Sequence, residues 1–530
     1  MGQLCKIRDK YQNLTTFLKN QLEKSLPAWY CIKMYRDNTN NFKGFYIQMK
    51  YEAVIGLEVH VQIRTASKMF CSCANKFGAE PNTLTCPVCL GYPGTLPVPN
   101  KEAIHAAVKA GLLMGCEIAR FSKFDRKSYF YPDLVKNYQI SQYDLPFCSG
   151  GKMHISGTGF SGEALPDKDI GITRIHLEED PAKLTHFAHG SGADYNRSGV
   201  PLLEIVSEPD MRSADEAYAY LTTLKELMRY SEISDCDMEK GQLRCDVNIS
   251  LRPVGTEKFG TKIEMKNLNS FRAVHRAIES EIERQAELLD AGTVLKQETR
   301  GWDDDAGSSY LMRTKESAHD YRYFPDPDLM PVTFTDEEIE AIRATLPEQP
   351  EAKRNRFVND FGLTAYDAEV ITADRKLAAY FDECAKSAKN PKAAANWIIS
   401  TLLSLTGAAK ISVDQSPVTP AMLAELVNLV ESGKISGKIA KDIFPEMFES
   451  GKDANTLIEE KGLSQVSDSS AIAGIVAQAI EANAKQVAEY LAGNERVLQY
   501  FVGQVMKLSK GRANPGMVIG ELKKQLSEKA

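Results

Sequence analysis

The sequence predicts an α+β body followed by an all-helical half. Two observations carry that class. Segments with strand alternation occupy residues 51 to about 330, and helical periodicity takes over after about 335. In the first part, Val54–Ile63, Gly171–Leu177, Cys245–Leu251 and Thr261–Lys266 alternate with the period of a strand. Ala214–Tyr230 and Ser270–Leu289 read there as amphipathic helices. In the second part, Glu337–Thr345, Thr364–Lys389, Pro391–Leu405, Pro420–Glu431, Ser436–Glu449, Ser470–Ala482 and Val487–Ala492 read as helices separated by Gly, Pro, Asn or Asp turns. No internal repeat or low-complexity segment interrupts this order.

Composition narrows the function classes. The chain has 530 residues and a mass of 58.8 kDa, room for roughly three or four domains. Hydrophobic residues make up 43% and charged residues 25%, which excludes overall disorder, a coiled coil and a collagen-like fibre. No apolar run approaches the ~18 residues of a membrane span. The net charge is −7, so any contact with nucleic acid must be local. Two ends are basic within this acidic chain: residues 1–50 carry a local charge of +6, and the last thirty-six residues carry +4. The first of these reads as an extension of unassigned role with Met49 as a candidate start, the second as a polyanion contact. Eleven cysteines are too sparse for a disulfide scaffold, and four tightly spaced ones indicate a reducing, cytoplasmic setting and a metal site.

Those four are Cys71, Cys73, Cys86 and Cys89, a spacing that suits a closed tetrahedral zinc site with a structural role. In the strand Val54–Ile63, Ile55, Leu57, Val59, Val61 and Ile63 share one face while Glu58, His60 and Gln62 share the other. The polar row sets an acid beside an imidazole, as a hard-metal or acid–base site requires, although a merely wet sheet face would show the same row. The strand Gly171–Leu177 runs into Glu178, Glu179 and Asp180, with Arg174 and His176 on the parity of Glu178. Glu204 lies inside the apolar run Val200–Val206, where a carboxylate is costly unless paired or metal-bound.

Two glycine-rich segments are decoys. Gly157–Gly162 matches the dinucleotide pattern but precedes Pro166 and another strand, so it reads as a hairpin loop. Gly255–Gly260 followed by Thr261 and Lys262 resembles a phosphate loop, yet it lies between strands and reads as a turn. Basic and aromatic residues interleave in Lys123–Tyr131 and Tyr321–Phe324, a pattern that stacks on bases or rims a core.

On these residues the sequence resembles the B subunit of the glutamyl-tRNA(Gln)/aspartyl-tRNA(Asn) amidotransferases. The resemblance rests on long ordered stretches from Gly56 to Thr83, the CPVCLGYPGTLPVPN run ending at Asn100, and the KFDRKSYFYPD run ending at Asp133. It continues through HLEED ending at Asp180, DYNRSGVPLLEIVSEPD ending at Asp210, LRCDVNISLRP ending at Pro253 and DYRYFPDPDL ending at Leu329. KIAKDIF ending at Phe444 and FVGQVMKLSKGRANP ending at Pro515 carry it to the helical half. It covers residue 50 onward, and Pro181-Ala182 and Val135 are small departures from the common pattern.

The resemblance implies a mixed or antiparallel-sheet catalytic cradle over 51–345 with a zinc knuckle, an all-α helical domain over 346–460, and a small helical, tRNA-recognising tail over 461–530. It implies a heterotrimer completed by an amidase (A) and a small (C) subunit, and no membrane partner. In that family ATP phosphorylates the side-chain carboxylate of mischarged Glu-tRNA(Gln) or Asp-tRNA(Asn), and ammonia released by the amidase displaces the phosphate. The family's magnesium-binding residues fall on Glu58, His60, Glu179 and Glu204, which favours Glu179 over Glu178 against regular strand parity; a bulge at the acidic run would reconcile the two. Lys183, Arg197 and Arg244 are candidates for contacts with the ATP phosphates. A non-catalytic zinc-containing tRNA-binding module is the alternative, and a stand-alone ligase a third reading.

Overall fold

The computed structural model describes residues 30–36, 42–314, 321–463, 469–509, 513 and 515–529. The chain divides into two compact units after Pro347. The first is built on a mixed sheet and the second is helical, so the α+β class holds.

The ten strands of the main sheet are, in chain order, β1 (Tyr51–Gln62), β2 (Glu117–Ile118), β3 (Cys148–Ser149), β4 (Lys152–Ile155), β5 (Lys168–Glu179), β6 (Pro201–Ser207), β7 (Leu243–Pro253), β8 (Ile263–Leu268), β9 (Glu298–Asp303) and β10 (Ser308–Thr314). They lie in the order β10-β9-β8-β7-β1-β6-β5-β3-β2, with β4 paired to β5 off that path. All pairs are antiparallel except β8 with β9. The decoy segments Gly157–Gly162 and Gly255–Gly260 lie in the β4–β5 and β7–β8 connections.

Strand β1 is central, and its alternation decides which face is which. Ile55, Leu57, Val59, Val61 and Ile63 are at most 2% exposed. They join one core with side chains of the helices α1 (Lys101–Leu113), α2 (Ala214–Tyr230) and α3 (Phe271–Asp290). Each large side chain buried there contributes about 1.5–3 kcal/mol. Ser213 and Ser270 cap α2 and α3 by accepting from the amides of Glu216 and Ala273. Helices thus cover one face of the sheet, and the opposite face carries Glu58, His60 and Gln62.

A smaller three-stranded sheet sets Asp125–Ser128 between Tyr138–Ser141 and Phe324–Pro325. It brings the two basic–aromatic stretches of the sequence together, 200 residues apart along the chain in the Arg126–Asp326 ion pair. At the N-terminal end, Tyr30–Arg36 and Phe42–Met49 form an antiparallel hairpin, while residues 1–29 of the basic extension lie outside the described residues.

In the second unit Pro420–Glu431 has the expected bounds. The helix expected over Thr364–Lys389 is two, Ala365–Thr372 and Arg375–Ser387. Asp374 adopts an extended conformation between them, and its side chain accepts from the amides of Lys376 and Leu377, which starts a new helix. The helix expected over Pro391–Leu405 passes through a π-turn at Ile398–Leu402 and runs on to Ala409. Helices Pro350–Phe361, Ala454–Lys461, Val497–Leu508 and Pro515–Ser527 add to those expected. Lys510 and Arg512 of the basic tail lie outside the described residues. No helix among the described residues is long and apolar enough to cross a membrane.

Candidate active site

The site grows from strand register. Across the sheet His176 of β5 stands opposite Glu204 of β6, Glu204 opposite His60 of β1, and His60 opposite Arg244 of β7. Directly opposed residues point to the same face, so these four side chains form one row. The neighbouring row holds Arg174, Val206, Glu58 and Asp246, and Glu178 stands opposite Leu202 on the other side.

The groups in these rows converge. The His176 and His60 imidazoles lie 3.4 and 3.5 Å from the Glu204 carboxylate. His60 is 3.8 Å from Glu178 and 3.9 Å from Glu58, and Arg174 is 3.4 Å from Glu204. These separations are long for strong hydrogen bonds. They match ligands around one ion at ~2.1 Å, which stand ~3–4.2 Å apart in octahedral geometry. Two triads have ligand atoms within 4.8 Å of one another: Glu58, His60 and Glu204, and His176, Glu178 and Glu204. Glu204 belongs to both.

Charge supports the same conclusion. Burial, then the neighbouring Glu204, push the Glu58 carboxyl above its usual range. Buried carboxylates crowded in this way fit a divalent cation, and magnesium takes oxygen ligands of this type. Among the described residues the Nδ1 of buried His176 has no hydrogen-bond partner. Burial pulls His176 down, but Glu204 and Glu178 outweigh it and hold the imidazole at about 9, above its ordinary 6.5. Its protonation is therefore favoured by folding. The stabilisation is complete below pH 6.5 and is lost as pH rises through about 9. In magnesium-free buffer, urea unfolding should show wild type losing on the order of 2 kcal/mol relative to His176→Gln across that window. Parallel pH curves for the two proteins would contradict this charge assignment.

The geometry groups the expected residues differently at one position. Glu179 is not in the cluster, and Glu178 is. No bulge occurs at the acidic run: β5 stays in register with β6 through Glu178 opposite Leu202 and Glu179 opposite Pro201. Regular alternation therefore turns Glu178 toward His60 and Glu179 away. Glu179 pairs with Lys136, accepts from the amide of Ile140 at 2.9 Å, and lines a separate cavity of about 260 Å³ with Cys89 and Arg126.

The candidate phosphate-contacting cations part company. Arg244 is in the row with His60 and donates to Asp180 at 2.8 Å, which also accepts from Gln62 at 2.7 Å. Arg197 is committed to the turn after β5, donating to the carbonyls of Pro181 and Ala182 at 2.9 and 2.7 Å. Lys183 is exposed on the Lys183–Phe187 strand of a two-stranded hairpin, outside the cluster. Besides Glu178 and Arg174, two further groups absent from the expected set are brought in. One is His176, which its β5 parity with Glu178 could have flagged. The other is Lys127, from the basic–aromatic stretch.

The four cysteines come together beside this sheet. Their sulfurs lie within 4.8 Å of one another, and four thiolates at ~2.3 Å from a zinc ion stand ~3.8 Å apart. Lys68, which is fully buried, places its ammonium 3.6 Å from the Cys89 sulfur. A hydrogen bond from Cys71, helped by Lys68, lowers the Cys89 thiol to about 4. A buried thiolate with a buried cation beside it fits a four-sulfur metal site, whose excess negative charge the ammonium offsets. Gly199, at φ +84°, makes the turn that brings its carbonyl to the Met69 amide at 2.7 Å and passes close to Cys89.

A sheet face with converging carboxylates and imidazoles, flanked by a four-cysteine knuckle, defines a catalytic cradle that contains neither standard phosphate loop. Comparison with known proteins gives it a family. Residues 53–340 match the GatB/GatE catalytic domain, and residues 379–526 match the GatB domain. An aspartyl/glutamyl-tRNA(Asn/Gln) amidotransferase B subunit from Thermoanaerobacter pseudethanolicus is 54% identical over 481 residues, 91% of this chain and 100% of the relative. The B subunit from Moorella thermoacetica is 52% identical over 482 residues, 90% of this chain and 100% of the relative. The B subunit from Persephonella marina is 54% identical over 473 residues, 89% of this chain and 98% of the relative. The chain belongs to the GatB/GatE family of tRNA-dependent amidotransferase subunits.

Proposed function

We propose that this chain is the B subunit of a tRNA-dependent amidotransferase, a ligase of translation. It uses ATP to activate the side-chain carboxylate of Glu-tRNA(Gln) or Asp-tRNA(Asn). It works with a glutaminase (A) and a small (C) partner in the cytoplasm. A carboxylate oxygen attacks the γ-phosphorus of ATP and the bond to ADP breaks, giving an acyl phosphate. Ammonia then attacks the acyl carbon, phosphate leaves, and a proton is lost to give the amide. The observation that carries this reading is the row His176–Glu204–His60–Arg244 on the sheet face opposite the helices.

Glu58, His60, Glu178, His176 and Glu204 are the residues that would hold magnesium, which when bound offsets charge between the two anionic reactants. The chain's own groups do the rest. Arg244, oriented by Asp180, presents a guanidinium beside His60, where it can meet a phosphate oxygen. Glu204 keeps both imidazoles charged or oriented, and the strand scaffold fixes all of them. The cysteine site is closed and takes a structural zinc. The helical half holds the RNA outside the chemical site. Residues 51–345, 346–460 and 461–530 serve as cradle, helical domain and tail.

Assembled with its glutaminase and small partners and given ATP, magnesium and glutamine, the chain should convert both mischarged tRNAs or one of them to the amidated product. Omitting this chain should remove the conversion and leave glutamine hydrolysis by the glutaminase. An assembled complex that binds both tRNAs and amidates neither would refute the reading and favour a non-catalytic tRNA-binding module.

A further inference from the structure

Among the described residues, Lys127 makes no ion pair, although Glu178 and Glu204 are near enough to favour its charge. It lies on the Asp125–Ser128 strand, directly opposite Gln139 of Tyr138–Ser141. Gln139 donates to the Glu179 carbonyl at 2.8 Å, and Ser141 on the same face donates to Glu178 at 3.2 Å. That face therefore abuts the end of β5, where Glu178 enters the cluster. The half-buried ammonium stands 4.9 Å from the centre of the Tyr321 ring. Its charge is felt by Glu178 and Glu204, yet among the described residues it makes neither a hydrogen bond nor an ion pair. By contrast, Lys136 is paired with Glu179 and Lys266 with Asp246.

Glu178 and Glu204 favour the charged ammonium, and its donors, without a hydrogen bond among the described residues, are free to meet an anion beside the cluster. The surroundings say which ligand. The walls are tyrosines: Tyr321 meets Tyr129 and Tyr323 edge-on at 5.9 and 6.1 Å. Tyr323 in turn stacks on exposed Tyr143 at 4.3 Å. One ammonium beside tyrosine rings suits a small, flat, singly charged oxyanion better than a triphosphate, which needs several cations. The stacked Tyr143–Tyr323 pair suits an unpaired base.

Resting on the function proposed above, we propose that Lys127 is the anchor for the substrate's side-chain carboxylate, holding it between the tyrosine walls and the Glu178–Glu204 cluster for attack on the γ-phosphorus. Lys127 is then a direct substrate contact, and its charge follows the oxygen that remains on the acyl group after transfer.

The test uses the complete heterotrimer carrying Lys127→Met or Lys127→Arg, with Glu-tRNA(Gln) and Asp-tRNA(Asn) as probes. Lys127→Met should lower kcat for amidation by ~100-fold, as loss of a positioned charged donor does. The KM for ATP and the Kd for tRNA should stay within about twofold, because the rest of the RNA sets that affinity. Lys127→Arg should recover at least about tenfold of the loss. The melting temperature of Lys127→Met should stay within about 5 °C of wild type, since methionine keeps the apolar stem and the ammonium makes no hydrogen bond among the described residues. A kcat within about threefold of wild type overturns the assignment. So does an ATP KM raised about tenfold with kcat kept, which would give the ammonium to a phosphate, or a melting temperature lowered by more than about 5 °C, which would make the residue structural. A wild-type complex that amidates neither tRNA refutes the underlying function, whereas these three outcomes in an active complex refute the role of Lys127 alone.

Discussion

Glu204→Gln is expected to reduce amidation by the assembled enzyme by ~10³-fold or more, while tRNA affinity stays within about twofold. The expectation follows from position. Glu204 is the one carboxylate shared by both candidate triads, and it lies 3.4 and 3.5 Å from the two imidazoles of the row. The amide keeps the volume, so strand β6, with Leu202, Leu203 and Ile205 at most 1% exposed, retains its packing. What it removes is the negative charge that holds His176 and His60 above their ordinary range. Both triads lose their common ligand together. Single-turnover amidation with saturating ATP and RNA measures the effect. A variant that keeps more than about a tenth of wild-type turnover would show that the cluster is not where the chemistry occurs. The same substitution should also flatten the pH dependence attributed to His176, which ties the electrostatic and catalytic tests to one residue.

How much of this is legible in the sequence depends on the residue. The alternation of Val54–Ile63 locates the core and site faces of the central strand, because period-two patterning is a local property. The same parity points to Glu178, whereas the family resemblance points to Glu179. The structure follows parity, because β5 keeps its register to its last residue. Helix Ala214–Tyr230 is readable from Ser213 and its apolar stripe, whereas Lys101–Leu113 is hard to read, although Asn100 caps it and its first turn follows Pro99. Its alanines and glycine blur an apolar stripe, and burial of Ala103, Ala107 and Ala110 against the sheet supplies what the pattern lacks. The break at Asp374 is a side-chain capping event inside an otherwise continuous periodicity. Lys127 can be marked as basic beside aromatics, but its position at Glu178 depends on Asp125–Ser128 pairing with Tyr138–Ser141, a tertiary fact no local pattern encodes.

With the zinc site proposed above, Cys89→Ser is expected to cost the protein that metal and several kcal/mol of stability, a larger loss than a surface substitution produces. The reason lies as much in Lys68 as in the metal. That ammonium is fully buried, with the Cys89 sulfur at 3.6 Å and the Tyr195 carbonyl at 3.2 Å as its partners. Removing the thiolate leaves a buried charge without its counter-charge, an effect of about 3–5 kcal/mol in other proteins. The damage should spread, because the loop that carries the cysteines is tied to the core. Met69 donates to Gly199 at 2.7 Å, and Phe70 packs edge-on against Phe124 at 5.4 Å. Metal analysis of the purified chain should give one zinc for wild type and none for Cys89→Ser, and the variant's melting temperature should no longer respond to a chelator. Adding Lys68→Met to Cys89→Ser should restore part of the lost stability without restoring the zinc, since it removes the orphaned charge. If wild type carries no zinc and Cys89→Ser melts where wild type does, the four sulfurs are ordinary thiols, and the knuckle is held by its turns alone.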